Sequence, residues 1–292
     1  MAQTRILVTG ASGLVGGRLA EILSTSHDVT AVRHRGPVPE GLSVVDADIL
    51  DRGALDRAFE TARPDAVVHC AAMADPDRCE REPDLARRCN VESSAEIARR
   101  CRERGARFVT FSTDLVFGGD RAFVTEEDPP RPLLHYGRTK VEAEDAVLAE
   151  SGEAAVLRIA LVIGRGFGPR TSATEAVAAA LAAGRRPRLF HDQYRTPIDP
   201  ASIADVVARV LDRKASGRFH IGGAERLSRF ELGQRVARVL GLPADLEGIS
   251  SAEQAVPRPG EASLDSSRAR RELGWEPRPL DDAIRDGRRP TV

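Results

Sequence analysis

The sequence predicts an α/β protein: a doubly wound parallel sheet with a smaller C-terminal lobe. Three observations carry that prediction. A short apolar run at 6–8 is followed at once by Gly10, Gly13 and Gly16, and then by a helical stripe through Leu14, Val15, Leu19, Ile22 and Leu23. Short apolar strands then alternate with amphipathic helices to about residue 163, the pattern of a sheet covered on both faces. Beyond Gly164 the alternation loosens into a glycine-rich loop, an Ala-rich helix and weaker elements. The expected division is a main domain over 1–163, rejoined at about 197–213, and a small lobe over 164–196 and 214–292.

Each element follows from local chemistry. Strands are expected at 28–32, 42–45, 65–69, 107–112 and 155–159, where β-branched or aromatic residues form short apolar runs. Helices are expected at 51–62, with Leu55, Ala58 and Phe59 inward, at 83–104, stopped by Gly105, and from Tyr136 to about 150. The polar, proline-bearing stretch 125–132 is a loop. Beyond Gly164, helices are expected at 174–183, 202–211, 228–240 with Ser228 as N-cap, 267–273 and 280–284, and short strands at 187–190 and 218–221.

Composition narrows the function. A chain of 292 residues with a formal net charge of −1 gives no reason to expect nucleic acid or an anionic membrane as partner. No apolar run is long enough to span a bilayer, and no signal-peptide core opens the chain. Cys70, Cys79, Cys89 and Cys101 have no C-x-x-C spacing, so reduced thiols in a cytoplasmic protein are expected. No His/Asp/Glu cluster has ligand spacing, so no metal is implied. Only Lys140 and Lys214 of the 43 basic residues are lysines, and Tyr136 and Tyr194 are the only tyrosines.

The glycine turn is a phosphate cradle. Gly10, Gly13 and Gly16 let the backbone turn and let a pyrophosphate approach, while Ser12, Leu14 and Val15 lie where the helix N-terminus offers N–H groups and its positive dipole end. At the end of the second strand stand Arg33 and Arg35 rather than an acid. An acid there takes a ribose 2′-hydroxyl and arginine accommodates a 2′-phosphate, so NADP, with NADPH preferred over NADH, is the expected cofactor. Cys70, Ala71 and Ala72 are small residues at a strand's carboxyl end, suited to close approach by that cofactor.

Tyr136 and Lys140 share one helix face. With residues this rare, a chance Tyr-x-x-x-Lys is expected about once in a hundred such sequences, which makes the pair informative. A phenol with a pKa near ~10 exchanges protons poorly near neutrality, and an adjacent ammonium is expected to lower that value. Thr113, 23 residues earlier and just after a strand, can hold the carbonyl or alcohol on which Tyr136 acts.

Gly10/Gly13/Gly16 with Thr113, Tyr136 and Lys140 resemble an extended short-chain dehydrogenase/reductase with a Rossmann-like domain. The stretch Ser112-Thr113-Asp114-x-Val116-Phe117, then Asp128-x-Pro130-x-Pro132, then Tyr136-Gly137-x-Thr139-Lys140, resembles its dTDP-4-dehydrorhamnose reductase branch, as does Asp192-Gln193 followed by Thr196-Pro197. The match runs from Arg5 to about Leu211. The resemblance implies hydride transfer to a 4-keto sugar nucleotide, with Thr113, Tyr136 and Lys140 catalytic and Tyr136 the proton donor. It places Asp48 and Ile49 by the adenine, Ala71 and Ala72 beside the dinucleotide, Asn90 as a structural asparagine or one in the active site near the cofactor, and Lys140 also on the nicotinamide ribose. Met73, Asp114, Val116 and Phe117 are expected at the substrate. Arg195, with Arg165 and Arg170 behind it, is expected to grip the diphosphate. A homodimer is left open. His69-Cys70 before Ala71, Leu115 after Asp114, and Tyr194-Arg195 in the lobe motif depart from the branch and bear on sugar specificity.

Two other functions remain open at this point. A nucleotide-sugar epimerase would retain its cofactor through oxidation and re-reduction; a 4,6-dehydratase is disfavoured because Leu115, not an acid, follows Asp114. A non-catalytic NADP-binding regulatory subunit, resembling that of methionine adenosyltransferase, would share the same branch.

Overall fold

The computed structural model describes residues 3–169, 171–253 and 258–287. In chain order the main domain contains β1 (Arg5–Thr9), α1 (Leu14–Leu23), β2 (Asp28–Arg33), β3 (Ser43–Asp46), α2 (Arg52–Ala62), β4 (Ala66–His69) and α3 (Pro76–Arg81). It continues through α4 (Pro83–Arg87), one π turn (Arg88–Glu92), α5 (Ser93–Arg104), β5 (Arg107–Thr113), a 3-10 turn (Asp114–Val116), α6 (His135–Glu150) and β6 (Ala155–Ile159). Then come α7 (Ala173–Ala182), β7 (Arg188–Phe190), β8 (Tyr194–Arg195), α8 (Pro200–Arg213), β9 (Gly217–Ile221), β10 (Leu227–Ser228) and α9 (Arg229–Leu240). The last are β11 (Glu247–Ile249), a 3-10 turn (Ser251–Glu253), α10 (Ser267–Leu273) and α11 (Leu280–Asp286).

Seven strands form one parallel sheet in the order β3-β2-β1-β4-β5-β6-β9. The chain moves outward from β1 to β3, then returns to β4 on the other side of β1. That reversal opens a crevice at the carboxyl ends of β1 and β4, where such sheets take ligands. The sheet buries both faces, which is why its strands read as unbroken apolar runs. Ile6, Val8, Val68 and Leu157 point to one side with Leu19, Val206 and Trp275; Leu7, Val67 and Val156 point to the other with Leu55, Phe59 and Ile97.

The lobe has its own small core of Ile163, Val177, Leu181, Leu189, Leu232, Val236, Leu246, Leu280 and Ile284. Two ribbons frame it: β7 with β11, parallel, and β8 with β10, antiparallel. The division at 214 needs correction. Residues Gly217–Ile221, expected in the lobe, form the seventh strand of the main sheet, and Ala269, Leu273 and Trp275 join the main core. A five-residue strand carries too short a pattern to show which sheet it joins. The long helix expected at 83–104 is present but relaxed into a π turn around Asn90, and α3 precedes it unpredicted.

Candidate active site

The glycine turn is fixed by backbone packing at two of its three positions. A Cβ on Gly10 would lie 2.6 Å from the Ala71 nitrogen, and Gly10 has φ +69°. A Cβ on Gly16 would lie 2.4 Å from the Gly10 carbonyl oxygen. These contacts draw the β1 turn, the end of β4 and α1 together. Gly13 is different: its Cβ would meet only the Gly10 oxygen, at 3.2 Å. Fold packing therefore asks less of Gly13 than of Gly10 and Gly16. The start of α1 has no side-chain cap and no acid in its first turn, so its leading N–H groups are left to an anion. Ser12, Leu14 and Val15 line this turn half-buried. The 164–169 loop closes over it: Phe167 N–H donates to the Leu14 carbonyl at 3.1 Å, and the Phe167 ring covers Gly17. Arg165 in this loop is exposed; Arg170 lies outside the described residues.

At the neighbouring edge, Arg33 ends β2 and Arg35 follows it, exposed. Arg33 is not free. Its Nε and Nη2 donate to Asp46 at 2.6 and 2.8 Å. The acid absent from β2 thus arrives from β3, a partner that no reading of β2 alone could find. The fork still leaves Nη1 available. Asp48 and Ile49 are half-buried beyond β3, with Asp48 Oδ1 accepting from Leu50 N–H at 3.0 Å.

Thr113, Tyr136 and Lys140 converge beside this crevice. Thr113 is the last residue of β5, and its Oγ1 donates to Asp114 Oδ1 at 3.0 Å while accepting from Leu115 N–H at 3.2 Å. Gly137 brings α6 against it: a Cβ there would lie 2.4 Å from the Leu115 carbonyl oxygen. Tyr136 is half-buried and packs against Met73 and Cys79. Burial and the Asp114 carboxylate push its phenol above the ordinary value, while the Thr113 hydroxyl works the other way. This corrects the expectation that Lys140 lowers the Tyr136 pKa: the charge acting on the phenol is that of Asp114, and removal from water outweighs the rest. Lys140 is 5% exposed, and burial pulls its ammonium down to about 8 against the pull of Glu144 and Cys70. Its Nζ makes no hydrogen bond among the described residues, so its donors are available to a ligand.

Behind the site lies a buried scaffold that the sequence did not disclose. Glu144, one turn beyond Lys140, accepts from Ser112 Oγ at 2.5 Å, from Arg158 Nη2 at 2.7 Å and from Arg218 Nε at 2.9 Å. Glu144 and Arg158 are each 2% exposed, so this cluster ties α6 to β5, β6 and β9 with nearly all its charge paired. Burial pushes the Glu144 carboxyl up, but Arg158, Ser112 and Arg218 together hold it below its ordinary value. The carboxylate one helical turn beyond Lys140 is therefore spent on structure.

Three expected contacts take other places. Asn90 is wholly buried; its Oδ1 accepts from Met73 N–H at 2.8 Å and its Nδ2 donates to the Met73 carbonyl and to Thr139 Oγ1. It therefore clamps the chain after β4 to α6, a structural role, instead of facing the cofactor. The π turn places it there. Val116 and Phe117, expected at the substrate, are 0% and 4% exposed and sit in the main core, Phe117 beneath the Arg158 guanidinium. An apolar pair after Thr113-Asp114 reads equally as pocket or core until the 3-10 turn shows which way it faces. Cys70, Ala71 and Ala72 follow β4 along the crevice; burial raises the Cys70 thiol.

The lobe supplies charge. Arg195 Nε lies 3.4 Å from Asp114 Oδ2, and its terminal nitrogens donate to the Tyr194 and Pro259 carbonyls. Arg195 therefore reaches from the lobe to the residue beside Thr113. Arg258 donates to Asp77 on α3, a second bridge across the crevice. Among the described residues no cluster of three or more His, Cys, Asp or Glu could hold a metal ion, and no helix is long and apolar enough to cross a membrane.

Comparison with known proteins places this geometry. The model of the family described as "RmlD substrate binding domain" matches residues 4–288. A probable low-salt glycan biosynthesis reductase, Agl14, from Haloferax volcanii is 32% identical, covering 95% of each chain. The methionine adenosyltransferase 2 subunit beta of Bos taurus is 33% identical over 90% of this chain and 81% of its own. Among solved structures, a hypothetical dTDP-4-dehydrorhamnose reductase from Sulfolobus tokodaii superposes with a TM-score of 0.83 at 30% identity, covering 95% of this chain and 98% of its own. WbmG of Bordetella bronchiseptica, in complex with NAD and UDP, superposes with a TM-score of 0.80 at 25% identity, covering 98% and 94%.

Proposed function

We propose that this chain, which belongs to the RmlD substrate binding domain family, is an NADPH-dependent reductase of the 4-keto group of a nucleoside-diphosphate sugar. The observation that carries the reading is the convergence of Thr113, Tyr136 and Lys140 beside a glycine turn whose helix start is uncapped. A bound nicotinamide would supply the hydride. The residues supply everything else. The Thr113 hydroxyl, once turned from Asp114 Oδ1 to the substrate, holds the carbonyl oxygen, and the Tyr136 phenol donates its proton there as charge develops. A phenol held above its ordinary pKa enters the reaction protonated, as a donor must. Lys140, with no hydrogen bond among the described residues, offers its donors to the cofactor ribose, and Arg195 faces the diphosphate. Arg33 and Arg35 favour a 2′-phosphate, with Asp46 fixing the Arg33 fork.

Similarity to the probable reductase of Haloferax volcanii and to the hypothetical dTDP-4-dehydrorhamnose reductase of Sulfolobus tokodaii supports the reductase reading. The similarity to methionine adenosyltransferase 2 subunit beta favours a second reading, in which the same fold binds a nucleotide and serves a partner protein. The test is a panel of 4-keto sugar nucleotides mixed with NADPH and followed at the nicotinamide absorbance, with Tyr136→Phe as control. Loss of absorbance with wild type alone supports the reductase. Tight NADPH binding with no turnover on any keto sugar nucleotide supports the regulatory reading.

A further inference from the structure

A buried chain of hydrogen bonds runs from the glycine turn to α6. Thr9, the last residue of β1, accepts at its Oγ1 from the Ala71 N–H at 3.3 Å and lies 2.7 Å from His69 Nδ1. His69 Nε2 lies 3.1 Å from Ser94 Oγ, which donates to the Asn90 carbonyl at 2.7 Å. The Asn90 side chain donates onward to Thr139 Oγ1 at 3.0 Å, and Thr139 donates to the Tyr136 carbonyl at 2.8 Å. Thr9, His69, Ser94, Asn90 and Thr139 are each at most 2% exposed.

The partners fix the protons along this chain. A serine hydroxyl has one proton, and that of Ser94 goes to the Asn90 carbonyl, so His69 Nε2 must donate to Ser94. Burial and the nearby Lys140 ammonium keep the ring neutral, pulled down to about 3. Its Nδ1 is then a lone pair, to which the Thr9 hydroxyl donates. His69 thus joins two halves: Nδ1 serves the glycine turn, and Nε2 serves the π turn and α6. The sequence sets His69 apart as a departure bearing on sugar specificity. Both its ring nitrogens are engaged inside the protein, which leaves none for a sugar.

We propose that His69 is a positioning residue that holds the nucleotide cradle and the helix bearing Tyr136 and Lys140 in register, each through one ring nitrogen. For its catalytic half this rests on the reductase reading above. Without the Nδ1 acceptor, the Thr9 hydroxyl is free to turn, and it holds the Ala71 N–H that backs Gly10. Without the Nε2 donor, Ser94 loses its partner beside the π turn that carries Asn90 and, through it, Thr139. Buried groups left without partners are costly, so each half should fail where its own nitrogen is lost.

The test removes one half at a time in the full chain. An asparagine amide reaches as far as Nδ1, and a glutamine amide as far as Nε2. His69→Asn keeps an acceptor for Thr9 and gives up the donor to Ser94; His69→Gln does the reverse. Thermal unfolding checks the fold, calorimetry gives the NADPH Kd, and rates with a 4-keto sugar nucleotide at saturating NADPH give kcat. His69→Gln should raise Kd about 5- to 50-fold and lower kcat far less. His69→Asn should lower kcat about 5- to 50-fold and raise Kd far less. Should either variant fail to fold, Thr9→Val repeats the His69→Gln prediction and Ser94→Ala the His69→Asn one. In wild type, nitrogen NMR should show a neutral His69 ring with its proton on Nε2. A proton on Nδ1, or losses of Kd and kcat that are alike in the two variants, overturns the proposal and leaves the reductase reading intact. Wild type that binds NADPH but reduces no keto sugar nucleotide overturns the reductase reading. The proposal is then judged on Kd, which His69→Gln must weaken and His69→Asn must not.

Discussion

Tyr136 works where burial and Asp114 both oppose its phenolate. Tyr136→Phe keeps the ring against Met73 and Cys79 but removes the proton, so turnover should fall on the order of 10²–10⁴ with NADPH affinity unchanged in a titration. Lys140 makes a separate prediction. Its folded pKa is about 8 against an ordinary 10.5, so between those values the unfolded chain holds a proton that the folded chain lacks. Stability then rises with pH across that window. Glu144, Cys70 and Cys79 face the same ammonium and work the other way, while neighbouring His69, pulled down to about 3 by burial and by Lys140, stays neutral throughout. Lys140→Met should therefore melt above wild type at pH 7, lose that margin between pH 8 and 10, and bind NADPH more weakly. A margin that is flat with pH would show that the buried ammonium does not titrate. The Tyr136–Lys140 pair was legible because both residue types are scarce in this chain. The sign of the Tyr136 shift was not, because it depends on Asp114 being turned inward and on how little water reaches the ring.

The elements around the site are set by three glycines with different duties. Gly16→Ala forces a methyl into the Gly10 carbonyl and should cost about 1–3 kcal/mol of stability in denaturant unfolding. Gly13→Ala has an ordinary backbone, φ −94°, but its Cβ would press on the Gly10 carbonyl oxygen at 3.2 Å; it should cost less stability than Gly16→Ala while weakening NADPH binding. Gly137→Ala pushes α6 from the Leu115 carbonyl and should lower kcat, because Tyr136 and Thr113 move apart. Equal cofactor affinity in Gly13→Ala and wild type would contradict the cradle. The strand–turn–helix was readable because period and glycine spacing are local signals. The π turn that buries Asn90, the inward Val116 and Phe117, and the Glu144–Arg158–Arg218 cluster arise from contacts between distant segments, and no local period encodes them.

At the scale of the whole molecule, the main sheet carries the nucleotide crevice and the lobe reaches across it with Arg195 and Arg258. The doubly wound order was legible from alternation, whereas the return of β9 and α10 to the main domain was not. At the far edge of the crevice, NADPH should bind about 10- to 100-fold more tightly than NADH, with Arg35→Ala reducing the difference. Equal affinities would show that the Arg33–Asp46 pair consumes the Arg33 charge. The central claim is that hydride passes to the sugar and the cofactor leaves oxidised in each cycle. The most direct measurement mixes protein stripped of nucleotide with NADPH, deuterated at the transferred hydride, and a dTDP-4-keto-6-deoxyhexose. One deuterium at sugar C4 for each NADPH oxidised is the predicted result. An epimerised sugar formed without net loss of NADPH, or no labelled sugar beside intact NADPH binding, would contradict it.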